Sequence, residues 1–322
     1  MKKKWFALLA LAMALVCVLA GCGSSGGGSR MAMGTGSNTG TYYIFGGILG
    51  QYIQENAGID VTVVSTGGSK ANIQSIDAGD YQLGTVQSDV IAYAWNGTST
   101  FAEDGPVQSF RVIGGLYAEA VQLVTMDPEI QSVADLAGKS VSIGDPGSGV
   151  YFNAIDVLSA AGLTEQDIQA QYQNFDASVE SLQDGKIDAA FIVAGAPTPA
   201  ITQLTTSTDA WLVPIDGEVS ETMMASCPYY TTYVIPAGTY PGQDEDVTTV
   251  TIKATMIVSA DASEDDVYNI TKAIYDNAEA IAAENTKGEE LTIENATSGM
   301  TAPFHAGAAR YFEEQGVTVE TE

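Results

Sequence analysis

An α/β protein of two doubly wound lobes, joined by two crossovers, is predicted by three features of the sequence. Short runs rich in Val and Ile and bounded by Gly or Asp alternate with runs whose apolar residues recur every three or four positions. Such alternation builds largely parallel sheets covered by helices. The same succession of runs occurs twice. Two helical segments near the C-terminal end have no counterpart in the middle of the chain, so the chain is expected to return to its first lobe.

The chain opens "MKKKWFALLALAMALVCVLAGCGSSGGGS". Three lysines precede an apolar run over residues 6–19. A membrane span needs about 20 residues, so this shorter run reads as a secretory signal over 1–21. The stretch Leu19-Ala20-Gly21-Cys22 resembles a bacterial lipobox, which would make Cys22 a lipidated N-terminus followed by a Gly/Ser tether over 22–30. Strands are then predicted over 59–65, 81–87, 139–144 and 186–195, and helices over 41–57, 148–162, 178–185, 263–285 and 306–315. In the duplicated pattern Gly40 corresponds to Gly149 and Tyr42 to Tyr151, each pair 109 positions apart. The boundaries expected are 31–121 for the first part of lobe I, 122–249 for lobe II and 250–322 for the return to lobe I, with crossovers near 118–123 and 248–256.

Charge narrows the function classes. The full chain carries a net charge of −28, and without Lys2, Lys3 and Lys4 nine basic residues face 40 acidic ones, a net of −31. Such a chain does not seek nucleic acid or anionic lipid by electrostatics. A soluble monomer held to the membrane only by its lipid, on the outer face of the cytoplasmic membrane, is the expectation. Cys17 would leave with the signal and Cys22 would be acylated. Cys227 would then have no disulfide partner and reads as a small buried hydrophobe.

The Gly-rich loops carry the functional signal. Open α/β sheets bind ligands beyond the carboxyl ends of their strands, at helix N-termini. "GTGSNTGTYY" (34–43) fails the dinucleotide fingerprint because Thr39 stands where Gly is needed, and Gly68-Ser69-Lys70 lacks the earlier Gly of a phosphate loop. A helix starting near Thr41 still offers unpaired N–H groups, with Ser37, Asn38 and Thr41 as side-chain donors, which suits a carboxylate. "STGGS" (65–69) and "GDPGSG" (144–149) repeat the arrangement, with Ser69 and Ser148 as candidate N-caps. These residues either cap helices and turn the chain or bind a small anion. Only one cation, Lys70, lies in these loops, so uncharged donors must do most of the holding. Asp89 and Asp145 either cap helix starts or meet a ligand ammonium. Tyr42, Tyr43, Tyr117 and Tyr151 are candidate cleft walls or plain core.

No cofactor is implied. The lone His305 is far in sequence from Cys227, so a zinc cluster is not expected. Gly67-Gly68-Ser69-Lys70-Ala71 has Ala where a nucleophile elbow needs Gly. Carrying is favoured over catalysis. The alternatives are an enzyme on the same scaffold, with Ser69 and Lys70 or His305 reactive, or a surface interaction protein with a vestigial cleft.

Taken together, "GTGSNTGTYY", "VSTGGSKANIQSIDAGDYQLGTVQSDV", "ADLAGKSVSIGDPGSGVYF", "LQDGKIDAAFIVAGAPTPAI", "YVIPAGTYPGQDEDV" and "HAGAARYFEEQG" resemble the TAXI solute-binding proteins, the extracytoplasmic receptors of one class of TRAP transporters. The resemblance runs from about residue 33 to 316. It implies a type II periplasmic-binding-protein fold that closes around its ligand, and a membrane permease as partner. It implies glutamate, glutamine or a dicarboxylate such as 2-oxoglutarate as ligand. Matching the family's cleft loops implicates Thr41, Tyr42, Gly68, Ser69, Gln87, Ser148, Gly149 and Pro197, beside the Asp145 and Tyr117 already singled out. Ile44, Val150 and Asp145 depart from the family's usual residues, which bears on ligand identity more than on fold.

Overall fold

The computed structural model describes residues 29–322; the expected signal, Cys22 and most of the tether lie outside the described residues. The chain begins with β1 (Arg30–Gly34), α1 (Thr41–Ala57), β2 (Asp60–Val64), α2 (Ser69–Asp77), β3 (Leu83–Gln87) and α3 (Ser88–Asn96). The long strand β4 (Phe110–Thr125) follows. Next come β5 (Ser140–Ser142), α4 (Gly149–Ala160), β6 (Gln169–Gln171), α5 (Phe175–Gln183), β7 (Ala189–Ala194) and α6 (Pro199–Ser207). After β8 (Trp211–Val213), α7 (Gly217–Ser226) and β9 (Thr231–Ile235), a second long strand, β10 (Val247–Ser259), leads into α8 (Glu264–Tyr275), α9 (Ala278–Glu284), α10 (Ile293–Thr297) and α11 (Ala306–Glu314).

The duplicated pattern is a duplicated topology. Strand order runs β2-β1-β3-β10-β4-β7-β5-β6. β1 pairs in parallel with β2 and β3, and β5 does the same with β6 and β7. Each triplet therefore puts its first strand in the middle, and the antiparallel pair β4–β10 lies between them. In each triplet the loop after the central strand runs into a helix N-terminus at the inner edge.

Two apolar cores flank the long strands. One is built from Met31 to Tyr117 and from Ala254 to Phe312; the other runs from Ala120 to Ile252. The change of core falls between Tyr117 and Ala120 on β4, and between Ile252 and Ala254 on β10. The expected crossovers are thus interiors of continuous strands. β4 reads "FRVIGGLYAEAVQLVT", almost wholly buried, as suits a strand covered on both faces. The register of β10 against β4 shifts between Lys253 and Thr255, so the bulge marks the same boundary.

The helix expected over 263–285 is two helices. It breaks at Asp276–Asn277, where the Asn277 amide donates back to the Ala273 carbonyl and the Asp276 carboxylate accepts from the Tyr311 hydroxyl. Such short polar side chains compete with the helical ladder. The segment 88–96 was not anticipated as a helix, because "SDVIAYAWN" lacks a clear polar face.

Candidate functional site

Three loops meet at one small cavity of about 60 Å³, room for roughly four to six water molecules. Thr41 and Tyr42 reach it from the start of α1, Gly68 and Ser69 from the start of α2, and Ser148, Gly149 and Val150 from the start of α4. The first two helices belong to one core and the third to the other, so the cavity lies between the cores. Unpaired N–H groups of a helix's first turn carry partial positive charge, and three such ends face one space.

Close approach requires glycine at two positions. Gly68 has φ 101°, a conformation L side chains rarely adopt, and its missing side chain would meet Ser148. A Cβ on Gly149 would lie 1.7 Å from Gln87 Oε1. Gly149→Ala should therefore push Gln87 aside and break its 2.9 Å bond to Asn153. The expected loss is about 1–3 kcal/mol, read by urea unfolding; an unchanged midpoint would refute this contact.

Contacts across the cleft are already made. Ser37 donates to Asp176 at 2.9 Å, and Thr41 donates to the Gly195 carbonyl at 2.9 Å. Gln87 Nε2 donates to Asn153 Oδ1, and Asn153 Nδ2 in turn donates to Asp89 at 3.2 Å and to the Tyr230 hydroxyl at 2.7 Å. The two cores are thus closed on one another. Two expected side-chain donors, Ser37 and Thr41, are spent on this closure and are not free to donate to a ligand.

Other expectations need correction. Pro197 follows a cis peptide bond and lines an outer surface groove with Pro199 and Gln203, because the loop after β7 turns away from the cleft. Tyr117 is fully buried edge-on to Phe45 in the first core, since its position on β4 points it into that core. Tyr151 turns outward and donates to Glu165 at 2.9 Å. Asp89 does not line the cavity: its carboxylate accepts from the Val90 N–H at 2.8 Å and from Asn153. Ser69 is the first residue of α2, behind Gly68 as N-cap, and its hydroxyl accepts from the Gln87 N–H at 3.1 Å. Ser148 is an N-cap, accepting from the Tyr151 N–H at 3.1 Å. Lys70 pairs with Asp104 at 2.7 Å and donates to the Thr100 carbonyl, so no cation is among the residues lining the cavity. His305 caps α11 through Nδ1, away from Ser69, with Nε2 against the Ala262 carbonyl.

Of the residues expected at the cleft, Thr41, Tyr42, Gly68, Ser69, Gln87, Asp145, Ser148 and Gly149 all line the cavity. Glu119, Gln173, Asn174 and Phe175 line it too, without having been anticipated. Glu119 is 1% exposed and sits on β4 between the cores. Burial pushes its carboxyl up to about 8, against the pull of Tyr42 and Gln87 facing it. Burial likewise raises the Asp145 carboxyl above its ordinary range and the Tyr42 phenol well above its own. A lone acid inside the largely apolar "VIGGLYAEAVQLV" was the available signal for Glu119.

Most buried polar side-chain atoms in folded proteins find a partner. Among the described residues eight do not, and four of these belong to residues lining the cavity: Tyr42, Gln87, Glu119 and Gln173. Half of the unsatisfied buried side-chain atoms among the described residues thus gather at this one cavity.

A family model described as the NMT1-like family matches residues 33–316. The chain belongs to the NMT1-like family. Solved structures agree on the fold of this NMT1-like chain. It is similar to the alkanesulfonate-binding protein SsuA from Xanthomonas axonopodis pv. citri, bound to MOPS, with 16% identity and a TM-score of 0.50, covering 89% of this chain and 91% of that one. A protein from Bordetella bronchiseptica RB50 has 15% identity and a TM-score of 0.52, covering 88% and 89% respectively. The NMT1-like chain has the mixed α/β type II periplasmic-binding-protein fold.

Proposed function

We propose that the protein is an extracytoplasmic solute-binding protein that captures a small carboxylate between two lobes and delivers it to a TRAP-type permease. Residues 31–121 with 250–322 form one lobe in this reading, and 122–249 the other. Cys22 carries the lipid that holds the protein to the membrane once 1–21 are removed. Glutamate, glutamine or a dicarboxylate such as 2-oxoglutarate are the candidate ligands, as the resemblance to TAXI proteins suggests.

One observation carries the proposal: three helix N-termini, drawn from both cores, face one cavity whose lining holds no protein cation. Hydrogen bonds to a charged group contribute about 1.5–3 kcal/mol each, so a few N–H donors outweigh a background charge screened within roughly 8 Å. The fold shared with an alkanesulfonate-binding protein is consistent with an anionic ligand. Opening would bend β4 and β10 where the apolar core changes hands.

A ligand present at 100 times its Kd adds about 2.7 kcal/mol of stability. In a melting screen of the ligand-stripped protein over amino acids and dicarboxylates, at least one compound should raise Tm by about 5 °C or more. A panel without any shift removes the carboxylate reading.

A further inference from the structure

The cavity has two chemically different sides. Its helix ends present N–H donors, while its buried side presents acceptors. Glu119 and Gln87 are 1% and 2% exposed, and Glu119 Oε1 and Gln87 Oε1 have no partner. The two side chains touch each other, Gln87 Nε2 donating to Glu119 Oε2 at 3.3 Å. The Tyr42 hydroxyl, facing Glu119, is also without a partner. Two acceptor oxygens, Glu119 Oε1 and Gln87 Oε1, and the Tyr42 hydroxyl thus lie without a settled hydrogen-bond partner at one end of the cavity. Water could serve these lone pairs, but only a cation would also stabilise Glu119 in its charged form.

We propose that Glu119, Gln87 and Tyr42 form the subsite for a ligand ammonium, so that the protein selects amino acids over acids lacking the amino group. The assignment rests on the proposed carboxylate capture and extends it: the carboxylate meets the helix N-termini while the ammonium meets Glu119. A primary ammonium has three N–H donors, matching the three oxygens. Glu119 stands on the strand segment between the two cores, so its partner sits where the lobes hinge.

Capture is then linked to a proton. In the empty pocket burial keeps Glu119 protonated at neutral pH. The ionisable groups facing it are Tyr42 from α1, Asp89 from α3 and Tyr117 from its own strand, while Lys287 lies over the Tyr117 ring and is paired with Glu290. None of these supplies a positive charge to Glu119 itself. An arriving ammonium favours the carboxylate, so the Glu119 proton leaves to solvent as the ion pair forms. Affinity for an amino acid should rise by up to about tenfold per pH unit below pH 8 and level off above it.

Calorimetric titration of the ligand-stripped full chain with matched pairs tests this: glutamate with glutarate, aspartate with succinate, and alanine with propionate. The amino acid of at least one pair should bind tenfold or more tighter than its partner. Titration at pH 7 in buffers of different ionisation enthalpy should show release of about one proton. Glu119→Gln, nearly isosteric, should weaken that amino acid tenfold or more and flatten the pH dependence. If the compound without the amino group binds as tightly, or affinity falls as pH rises, the ammonium subsite is wrong while carboxylate capture stands. If no member of any pair binds, both fail. The wild-type proton count decides the matter even if the variant does not fold.

Discussion

Ligand-free protein will be harder to unfold at pH 5 than at pH 8. Burial raises the Asp89 carboxyl to about 7 and that of Glu119 to about 8. In the unfolded chain such groups titrate near 3.9 and 4.3. The folded state therefore binds more protons than the unfolded state across the window between, and stability falls as pH rises through it. Each unit of raised pKa corresponds to 1.36 kcal/mol, so each group costs on the order of 4 kcal/mol by pH 8. Asp156, raised by burial, acts in the same direction. The carboxylates held low by hydrogen bonds, Asp127, Asp135 and Asp167, change stability only below about pH 4. His305 works the other way, since burial lowers its pKa; its contribution is gained as pH rises toward about 6.5. Urea midpoints measured from pH 5 to 8 should fall, most steeply below about pH 7, and flatten as pH passes through the two folded pKa values. Midpoints that climb over that range would show that the two acids are not buried together without a cation.

Asn153→Ala is the second large effect. Asn153 is fully buried on α4 and joins Gln87, Asp89 and Tyr230. Tyr230 in turn donates to Asp156 at 2.9 Å. Removing the amide leaves several buried groups short of partners, each at about 1–3 kcal/mol. A loss of about 3 kcal/mol is expected in urea unfolding. Because the network spans both cores, a cycle with Gln87→Ala should give a coupling of about 1 kcal/mol or more. A loss under about 0.5 kcal/mol would mean that the cores close without this bridge.

How far the site could be read in advance differs by residue. The loops at 34–43, 65–69 and 144–149 were legible because a helix start needs an N-terminal cap, a turn needs Gly, and both leave a local mark. The duplicated order gave two of these loops equivalent places, but their sharing one crevice required the two halves to face each other. Thr41 and Ser37 were misread as ligand donors because a hydroxyl's partner is chosen across the cleft; nothing near them in sequence reveals Gly195 or Asp176. Tyr117, a candidate cleft wall or core residue, is core, while Glu119 was not singled out and lines the cavity. They lie two residues apart on one strand, so they point to the same face, yet one enters a core and the other a cavity because the core ends between them.

By itself, the sequence determined the α/β class, the duplicated halves, the helix of α1 from Thr41 to Ala57, and the glycines that let backbone approach a ligand. Those are consequences of local sterics and periodicity, which act over a few residues. Only the tertiary structure decided which donors remain free, that Lys70 turns away, and that Glu119 sits buried without a cation. Solvation and pairing of a polar group depend on what the rest of the chain brings beside it, and those neighbours come from as far as 32 and 154 positions away.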